Sequence, residues 1–469
     1  MSIIILIPAL ISAYIAFTHS PHRAFLNVFI PVLLFIPPYY VFRIQGLPDP
    51  NFYEATIAPI AFVFFLRGMP GWRFSWTDVF VFVFAFSVSF SEYLNFGYKD
   101  AQNLMANMVL SVFFPYLLAK SLVEPAGLRI EFAKRIVLVL LIVSVFLVYE
   151  NHFRTGYTLW QKALGPFFGG GWSRAVRFRW GMVRANGPFV HPIQAGIIMV
   201  IGFQLQLWLQ SNNAWSSQIK GLPKLPVLTV PQIITLVLVA GVFAPLSRAP
   251  WLGTILGIIT VFFLAYLVGF TQKKAIRYFI ICGLLAGTVV LGLGIKTAVE
   301  EFASVGSQEA KGQSDERQTI AYRFELYTTY GQIVMERAMW GWGRLGWPKD
   351  KIQSSIDNAY LLLALNHGLI AVACLFALFL SMGIRLFIHI IHHPAAQPPK
   401  AALDITLLSL LLIEIFCLAT VSLNSTNMTL LFVLFGWMDG YLLNRRPEIG
   451  IQQAVSNHKK LPFQFRRVM

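Results

Sequence analysis

Charged residues are scarce in this sequence. Asp, Glu, Lys and Arg make up 12% of its 469 residues, whereas a soluble globular protein carries about 25%. Hydrophobic residues account for 57%, and many lie in apolar runs long enough to cross a hydrocarbon layer of about 30 Å. This composition excludes a soluble enzyme. Continuous apolar runs, in place of alternating ones, predict membrane-spanning helices and not a β-barrel.

Several familiar chemical motifs are also missing. The 3 cysteines all lie in apolar runs without C-x-x-C spacing, so neither a disulfide framework nor a zinc site is indicated. The sequence has no Walker motif, no H-E-x-x-H and no D-x-D pair. We therefore expect neither a cofactor nor a metal, and the energy for any reaction must come from the substrate or from an ion gradient.

The apolar runs predict an all-α, polytopic helical membrane protein with about 12–13 transmembrane helices. The first run lacks a basic region and a cleavage site, so it is expected to be a retained span. The third and sixth runs are short for a full span. The runs lie at about 2–18, 24–42, 53–66, 79–96, 103–119, 136–149, 193–210, 228–246, 251–270, 278–297, 358–384, 404–423 and 427–443.

The same pattern predicts the domain organisation, with a long loop between the tenth and eleventh spans. The predicted parts are N-terminal transmembrane helices (1–150), a basic loop (151–192), further transmembrane helices (193–297), the long loop (298–357), C-terminal transmembrane helices (358–444) and a basic tail (445–469).

Basic residues predict the orientation of the chain. Lys and Arg number 37 against 21 Asp and Glu, a net charge of +16, which cytoplasmic loops facing anionic lipid explain better than nucleic acid does. This rule places the basic tail inside and both long loops outside. The loop 151–192 nevertheless carries several arginines. They indicate either an anionic ligand, such as a lipid-linked diphosphate, or attraction to outer-leaflet phospholipid.

Three polar motifs converge on the predicted outer side although they are far apart in sequence. Arg184 and Arg248 lie next to apolar runs, where a guanidinium either grips phosphate or reaches towards lipid headgroups. Asp357 is either a base for an attacking hydroxyl or a helix-capping acid. His367 is expected to pack against or bond a neighbouring helix. The motifs are RANGPFVHP from Arg184, SRAPW from Ser247 and DNAYL from Asp357.

In order, spacing and sidedness these motifs resemble the O-antigen ligase and O-antigen polymerase (Wzy/WaaL-like) superfamily, polytopic glycosyltransferases of the GT-C type. The resemblance covers about residues 180–380, with YRFELY and WGWG in a long outer loop as in the family. It implies a GT-C-like fold in the bacterial inner membrane with an active site facing the periplasm. It also implies a glycan donor on undecaprenyl diphosphate and metal-independent transfer to an acceptor hydroxyl.

The resemblance also assigns roles to residues. Arg184 and Arg248 would bind the diphosphate, with Arg323 as a third anion contact. Asp357 stands where ligases carry a catalytic His. The Asp-Asn pair found here instead resembles exopolysaccharide or O-antigen polymerases, in which Asp-Asn is familiar. Three residues are candidate accessory groups: His191, Asn358 and Tyr360.

The expected function is polymerisation of lipid-linked oligosaccharide repeats into exopolysaccharide or O-antigen. One alternative is a ligase that transfers a finished glycan to lipid A core or to protein. Another is a transporter or flippase of lipid-linked glycans that uses intramembrane acids. Expected partners are the donor and acceptor glycans, the bilayer, and flippase and chain-length regulator proteins, without nucleic acid. The acids in apolar runs are Glu92, Asp404, Glu414 and Asp439.

Overall fold

The computed structural model describes residues 2–43, 46, 48–153, 159–168, 177–216, 228–270, 326, 329–348, 356–392, 402–423 and 425–444. The regular secondary structure of these residues is helical apart from one short β-hairpin and an isolated bridge. The prediction of an all-α polytopic membrane protein is confirmed. The predicted tenth span (278–297), Arg323 and the basic tail lie outside the described residues.

The helices follow the predicted apolar runs closely. A 3-10 turn at Ser2–Ile5 precedes the first helix, and a hairpin of β1 (Phe178–Arg179) and β2 (Met182–Val183) lies between the seventh and eighth. The helices are α1 (Leu6–Thr18), α2 (Pro21–Phe35), α3 (Phe52–Leu66), α4 (Trp76–Phe96), α5 (Tyr98–Leu122), α6 (Arg129–Phe153), α7 (Leu159–Leu164), α8 (Pro192–Ser211), α9 (Val230–Phe243), α10 (Arg248–Phe270), α11 (Ala359–His392), α12 (Leu403–Leu418) and α13 (Ser425–Leu443).

Six helices in the described part of the chain are long and apolar enough to cross a membrane: α4, α5, α6, α8, α10 and α11. The sixth predicted run is longer than expected, because charged residues at its start belong to the 25-residue α6. The third remains short, since α3 has 15 residues. A capping box starts α3 at Asn51, whose Oδ1 accepts from Glu54 N at 3.0 Å.

The helices α8 and α13 lie inside the bundle, and nearly all of their residues are buried. Two glycines let α13 approach α5 closely. A Cβ at Gly436 would lie 2.1 Å from Tyr116 O, and one at Gly440 would lie 2.6 Å from Lys120 O. Backbone contact of this kind is typical of helix packing in membranes.

Polar contacts join helix ends that the predicted topology places on the same side. Arg67 Nη2 at the end of α3 donates to Ala16 O at 3.1 Å. On the other side, Asp49 N donates to Asn103 Oδ1 at 2.9 Å. We call the end of the bundle that carries the β1–β2 hairpin the hairpin end, and the opposite one the Lys120 end. The three sequence motifs lie at the hairpin end.

Candidate functional site

The hairpin presents three arginines of the predicted basic loop. Its turn is made by Trp180 and Gly181, whose φ angles of 52° and 74° are those of a type I′ turn. Beyond the strands, Arg184 N donates to Arg177 O at 2.9 Å and continues the pairing. Arg177, Arg179 and Arg184 are therefore held on one small rigid element, which we call the arginine hairpin.

The arginine hairpin is bound to the short link between α9 and α10, so the first motif meets the second. Arg179 Nη1 donates to Leu246 O at 2.7 Å. Arg184 Nη2 donates to Ser247 Oγ at 3.0 Å. Arg248, exposed at the first position of α10, directly follows Ser247. The predicted convergence of these two motifs is thus present in the fold.

The end of α6 fixes the arginine hairpin from below. Asn151 Nδ2 donates to Val183 O at 2.7 Å and to Ala244 O at 3.0 Å, which joins the hairpin to the end of α9. Glu150 Oε2 accepts from Gly187 N at 2.9 Å. The buried Glu150 carboxylate therefore holds the backbone of the basic loop at Gly187.

Arg184 has the electrostatic surroundings of an anion-binding group. Burial, followed by the nearby Arg179 and Arg177, lowers the pKa of Arg184 to about 10, while Asp357 opposes the shift. The guanidinium therefore stays protonated at neutral pH. Its buried Nε has no hydrogen-bond partner in the described part of the chain. A partly desolvated cation with an unused donor favours a charged acceptor such as phosphate.

The third motif carries a charge that acts on the first. Asp357 is exposed two residues before α11, and its carboxylate opposes the lowering of the pKa of Arg184. Asn358 takes the capping role that was open for Asp357, because its Oδ1 accepts from Leu361 N at 3.0 Å. The Asp357 carboxylate is thus left exposed, with an electrostatic influence on the arginine hairpin.

The accessory candidates act on the scaffold of the site. Asn358 Nδ2 donates to Ala419 O at 3.1 Å, and Tyr360 OH donates to Ile415 O at 3.0 Å. Both contacts attach the start of α11 to the end of α12. His191 contacts Ile193 N through Nδ1 at 3.2 Å and Arg177 Nη1 through Nε2 at 3.0 Å. These three residues position Asp357 and the arginine hairpin.

Sequence reasoning did not select Arg177 and Arg179 as site residues, and it did not predict the hairpin. The available signal was the alternation of Arg177 and Arg179 before the Trp180-Gly181 turn. Strands of two residues each are too short for a periodicity argument. Arg323 was selected, but it lies outside the described residues.

Comparison with known proteins gives one family. Residues 233–376 match the family model described as O-antigen ligase. The matched region contains Arg248 and Asp357, whereas Arg184 and the rest of the arginine hairpin lie before it. No curated protein matches the chain. The resemblance to the O-antigen ligase and O-antigen polymerase superfamily is confirmed over residues 233–376 of this polytopic membrane protein, which are similar to the O-antigen ligase family.

Proposed function

We propose that the protein polymerises undecaprenyl-diphosphate-linked oligosaccharide repeats into exopolysaccharide or O-antigen at the periplasmic face of the bacterial inner membrane. The observation that carries this proposal is the position of Arg184. Its guanidinium is half-buried, its Nε has no hydrogen-bond partner among the described residues, and the charges of Arg177, Arg179 and Asp357 act on it. An anion site next to a base is what transfer from a lipid diphosphate requires.

The proposed step is a single displacement that needs no metal. The acceptor hydroxyl oxygen attacks the anomeric carbon of the donor sugar, and Asp357 takes the hydroxyl proton. The bond from the anomeric carbon to the phosphate oxygen breaks, and its electron pair leaves with the diphosphate. Attack opposite the leaving group inverts the anomeric centre, so the new glycosidic bond has the configuration opposite to that of the donor.

The arginines stabilise the leaving group. Negative charge grows on the diphosphate oxygens as the bond breaks, and guanidiniums that are already in place meet that charge without reorganising. Arg184 donates to Ser247, the residue before Arg248, and we assign both guanidiniums to the leaving diphosphate. We assign Arg323, in the predicted long loop, as the third anion contact.

Ligation to lipid A core or to protein is the second candidate, and the description of the matched family favours it. It would use the same donor and the same arginines. Asp357 favours polymerisation, because it stands where the resemblance places the His of ligases. The two candidates differ in the acceptor alone.

A transporter of lipid-linked glycans finds less support in the ion pairs of the bundle. Three of the four acids considered for proton coupling are engaged: Glu92 Oε1 with Arg344 Nε at 3.0 Å, Asp404 with His389 at 2.9 Å, and Asp439 with Lys120 at 2.8 Å. Contacts of this kind give these three carboxylates a role in joining segments of the bundle, which needs no proton coupling.

A reconstituted assay separates the three candidates. The full-length protein in lipid nanodiscs is given the undecaprenyl-diphosphate-linked repeat, with a second lipid-linked repeat or lipid A core as the acceptor in separate reactions. We expect elongated glycan and free undecaprenyl diphosphate with the lipid-linked repeat. Product with lipid A core alone identifies a ligase. In sealed vesicles, translocation with every glycosidic and diphosphate bond intact identifies a transporter and contradicts the proposal.

A further inference from the structure

Two adjoining cavities lie near the start of α5, and the smaller one is also lined by the first part of α11. One measures about 280 Å³ and the other about 370 Å³. Arg344, Asn107, Leu104 and Ser425 line both cavities, so the two form one continuous cleft. Together they reach the size of small-molecule sites. We call this space the Arg344 cleft.

Unpartnered polar groups point to a ligand in the smaller cavity. His367 lines it and is 6% exposed, yet its Nδ1 has no hydrogen-bond partner in the described residues. Asn366 lines the same cavity, and its buried Oδ1 is also unpartnered there. A buried polar atom without a partner is unfavourable. These two neighbouring atoms therefore favour a ligand that carries both donors and acceptors.

The charges around the Arg344 cleft are balanced, in contrast to those of the arginine hairpin. Glu92 Oε1 accepts from Arg344 Nε and Glu92 Oε2 accepts from Arg344 N, both at 3.0 Å. Asp49, Glu54 and Arg43 line the larger cavity with Arg344, so acids and bases are equal in number. Carboxylates in the wall repel an anion, but they accept hydrogen bonds from hydroxyl groups.

The walls also offer apolar surface. Leu104, Met108 and Leu362 line the smaller cavity together with His367 and Asn366. Hydroxyl groups beside C–H faces are the surface of a sugar ring, and amide, imidazole and aliphatic groups complement that surface. A lipid chain would leave His367 Nδ1 and Asn366 Oδ1 unpaired, which is unfavourable.

We propose that the Arg344 cleft binds the glycan of the acceptor, a neutral and hydroxyl-rich oligosaccharide; this deepens the proposed function and rests on it. The smaller cavity is lined by Ala359, the first residue of α11, which follows the proposed base Asp357 by two positions. His367 lies eight residues further along α11, a rise of about 12 Å. A glycan bound along this path presents its terminal hydroxyl to Asp357, while the arginine hairpin holds the donor diphosphate. The protein thus divides its substrates between a neutral cleft and a cationic hairpin.

Two binding measurements on the full-length protein in nanodiscs test this division. The probes are phosphate-free oligosaccharides cut from the producing cell's own polysaccharide, and inorganic pyrophosphate. We expect His367→Leu and Asn366→Leu each to weaken oligosaccharide binding about tenfold and to leave pyrophosphate binding within about twofold. Arg184→Ala gives the reverse pattern. His392→Leu, an exposed site on the same helix, is the matched control that changes neither.

The outcomes distinguish this inference from the proposed function. Oligosaccharide binding that is absent in the wild type, or unchanged in both cleft variants, overturns the glycan cleft. Loss of pyrophosphate binding in His367→Leu also overturns it, because the cleft would then be an anion site. If Arg184→Ala leaves the pyrophosphate affinity unchanged, that result contradicts the proposed function and not the glycan cleft. If His367→Leu does not fold, Leu363→Trp fills the same cavity, and full oligosaccharide affinity in that variant overturns the inference.

Discussion

At the residue scale, the central feature is the partly buried guanidinium of Arg184, which lies near two other arginines. A guanidinium taken partly out of water, near two like charges, is unfavourable unless something offsets it. Ser247 Oγ accepts one hydrogen bond and Asp357 supplies an opposite charge, but Nε has no acceptor among the residues that the structure describes. In the proposed function, a bound diphosphate supplies that acceptor and neutralises the arginines.

Arg184→Ala is expected to lower the turnover of glycan transfer about 10²–10³-fold, because one fixed donor to the leaving group is removed. Arg184→Lys keeps the charge without the planar fork and should lie between wild type and alanine. Initial rates in nanodiscs with the lipid-linked repeat measure the effect. Lys162→Ala, an exposed cation of the same basic loop, should retain the wild-type rate. Equal rates for all four proteins would remove Arg184 from the mechanism.

The sequence alone predicted Arg184, Arg248 and Asp357 as site residues, because cations and acids beside apolar runs stand out, and their roles stay predictions. The sidedness of the spans predicted that the motifs converge, and the structure brings the first two into contact. The surroundings of His367 could not be predicted. They depend on a break in α11 and on a distant loop that packs against it, and neither has a local signal.

The break in α11 is the decisive feature at the element scale. At Gly368 the φ and ψ angles are 79° and 176°, which glycine adopts without strain. Two carbonyl groups before the break accept hydrogen bonds from the WGWG segment (340–343). Trp342 N donates to Leu365 O and Gly343 N donates to Asn366 O, both at 2.8 Å. This arrangement holds Asn366 and His367 at the Arg344 cleft.

Gly368→Ala should destabilise the protein by about 1–3 kcal/mol or more, since strain at positive φ alone contributes that amount. The added Cβ would lie 2.1 Å from Met339 O. Reversible unfolding of the purified protein in mixed micelles measures the change. Gly331→Ala, where the space around the Cβ is open, should be neutral or stabilising by up to about 1 kcal/mol. Equal stability of the two variants would show that the break is not required.

Apolar periodicity predicted one span at 358–384 and could not reveal this break. A single glycine inside an apolar helix is common in membranes, so the segment N-H-G-L-I (366–370) predicts a continuous helix. The sequence placed WGWG (340–343) in a long outer loop and gave no sign of what it contacts. Its glycines are in fact needed for close approach: a Cβ at Gly341 would lie 2.6 Å from Gly368 N. Contacts across many residues of sequence decide such geometry.

At the scale of the whole molecule, a buried charge network joins the helices at the Lys120 end. Lys120, 1% exposed, contacts Asp78 Oδ1 at 2.5 Å and Asp439 Oδ2 at 2.8 Å. Arg385 Nη1 contacts Asp439 Oδ1 at 2.6 Å. The network links α4, α5, α11 and α13, far from the arginine hairpin. It fixes the bundle that holds the site.

Asp439→Asn should destabilise the protein by about 3–5 kcal/mol, because Lys120 is then left buried with an incomplete set of partners. The variant should bind pyrophosphate with wild-type affinity wherever it is folded. Unfolding curves and pyrophosphate titrations measure the two effects separately. Asp100→Asn, at an exposed acid, is the control. A stable Asp439→Asn protein would show that the network does not hold the bundle together.

Sidedness is the second prediction at this scale. In a protein whose native cysteines are replaced by serine, Trp180→Cys at the hairpin end should react with an impermeant maleimide in cells with a permeabilised outer membrane. Phe74→Cys at the Lys120 end should react only after the inner membrane is opened. Trp180 is 60% exposed and Phe74 is 57% exposed. Because both side chains are similarly accessible, a difference in labelling reports the side of the membrane. The reverse labelling pattern would place the arginine hairpin in the cytoplasm.

Mass spectrometry of undecaprenyl-linked species tests the central claim most directly, in a strain whose own gene is deleted and replaced by an Asp357→Asn copy. The claim predicts accumulation of donor that carries a single repeat, no polymer, and donor binding by the purified variant at wild-type strength. The same strain with the wild-type gene should make polymer of normal length. Normal chain length with Asp357→Asn would contradict the account, because a polymerase whose base is lost cannot join repeats.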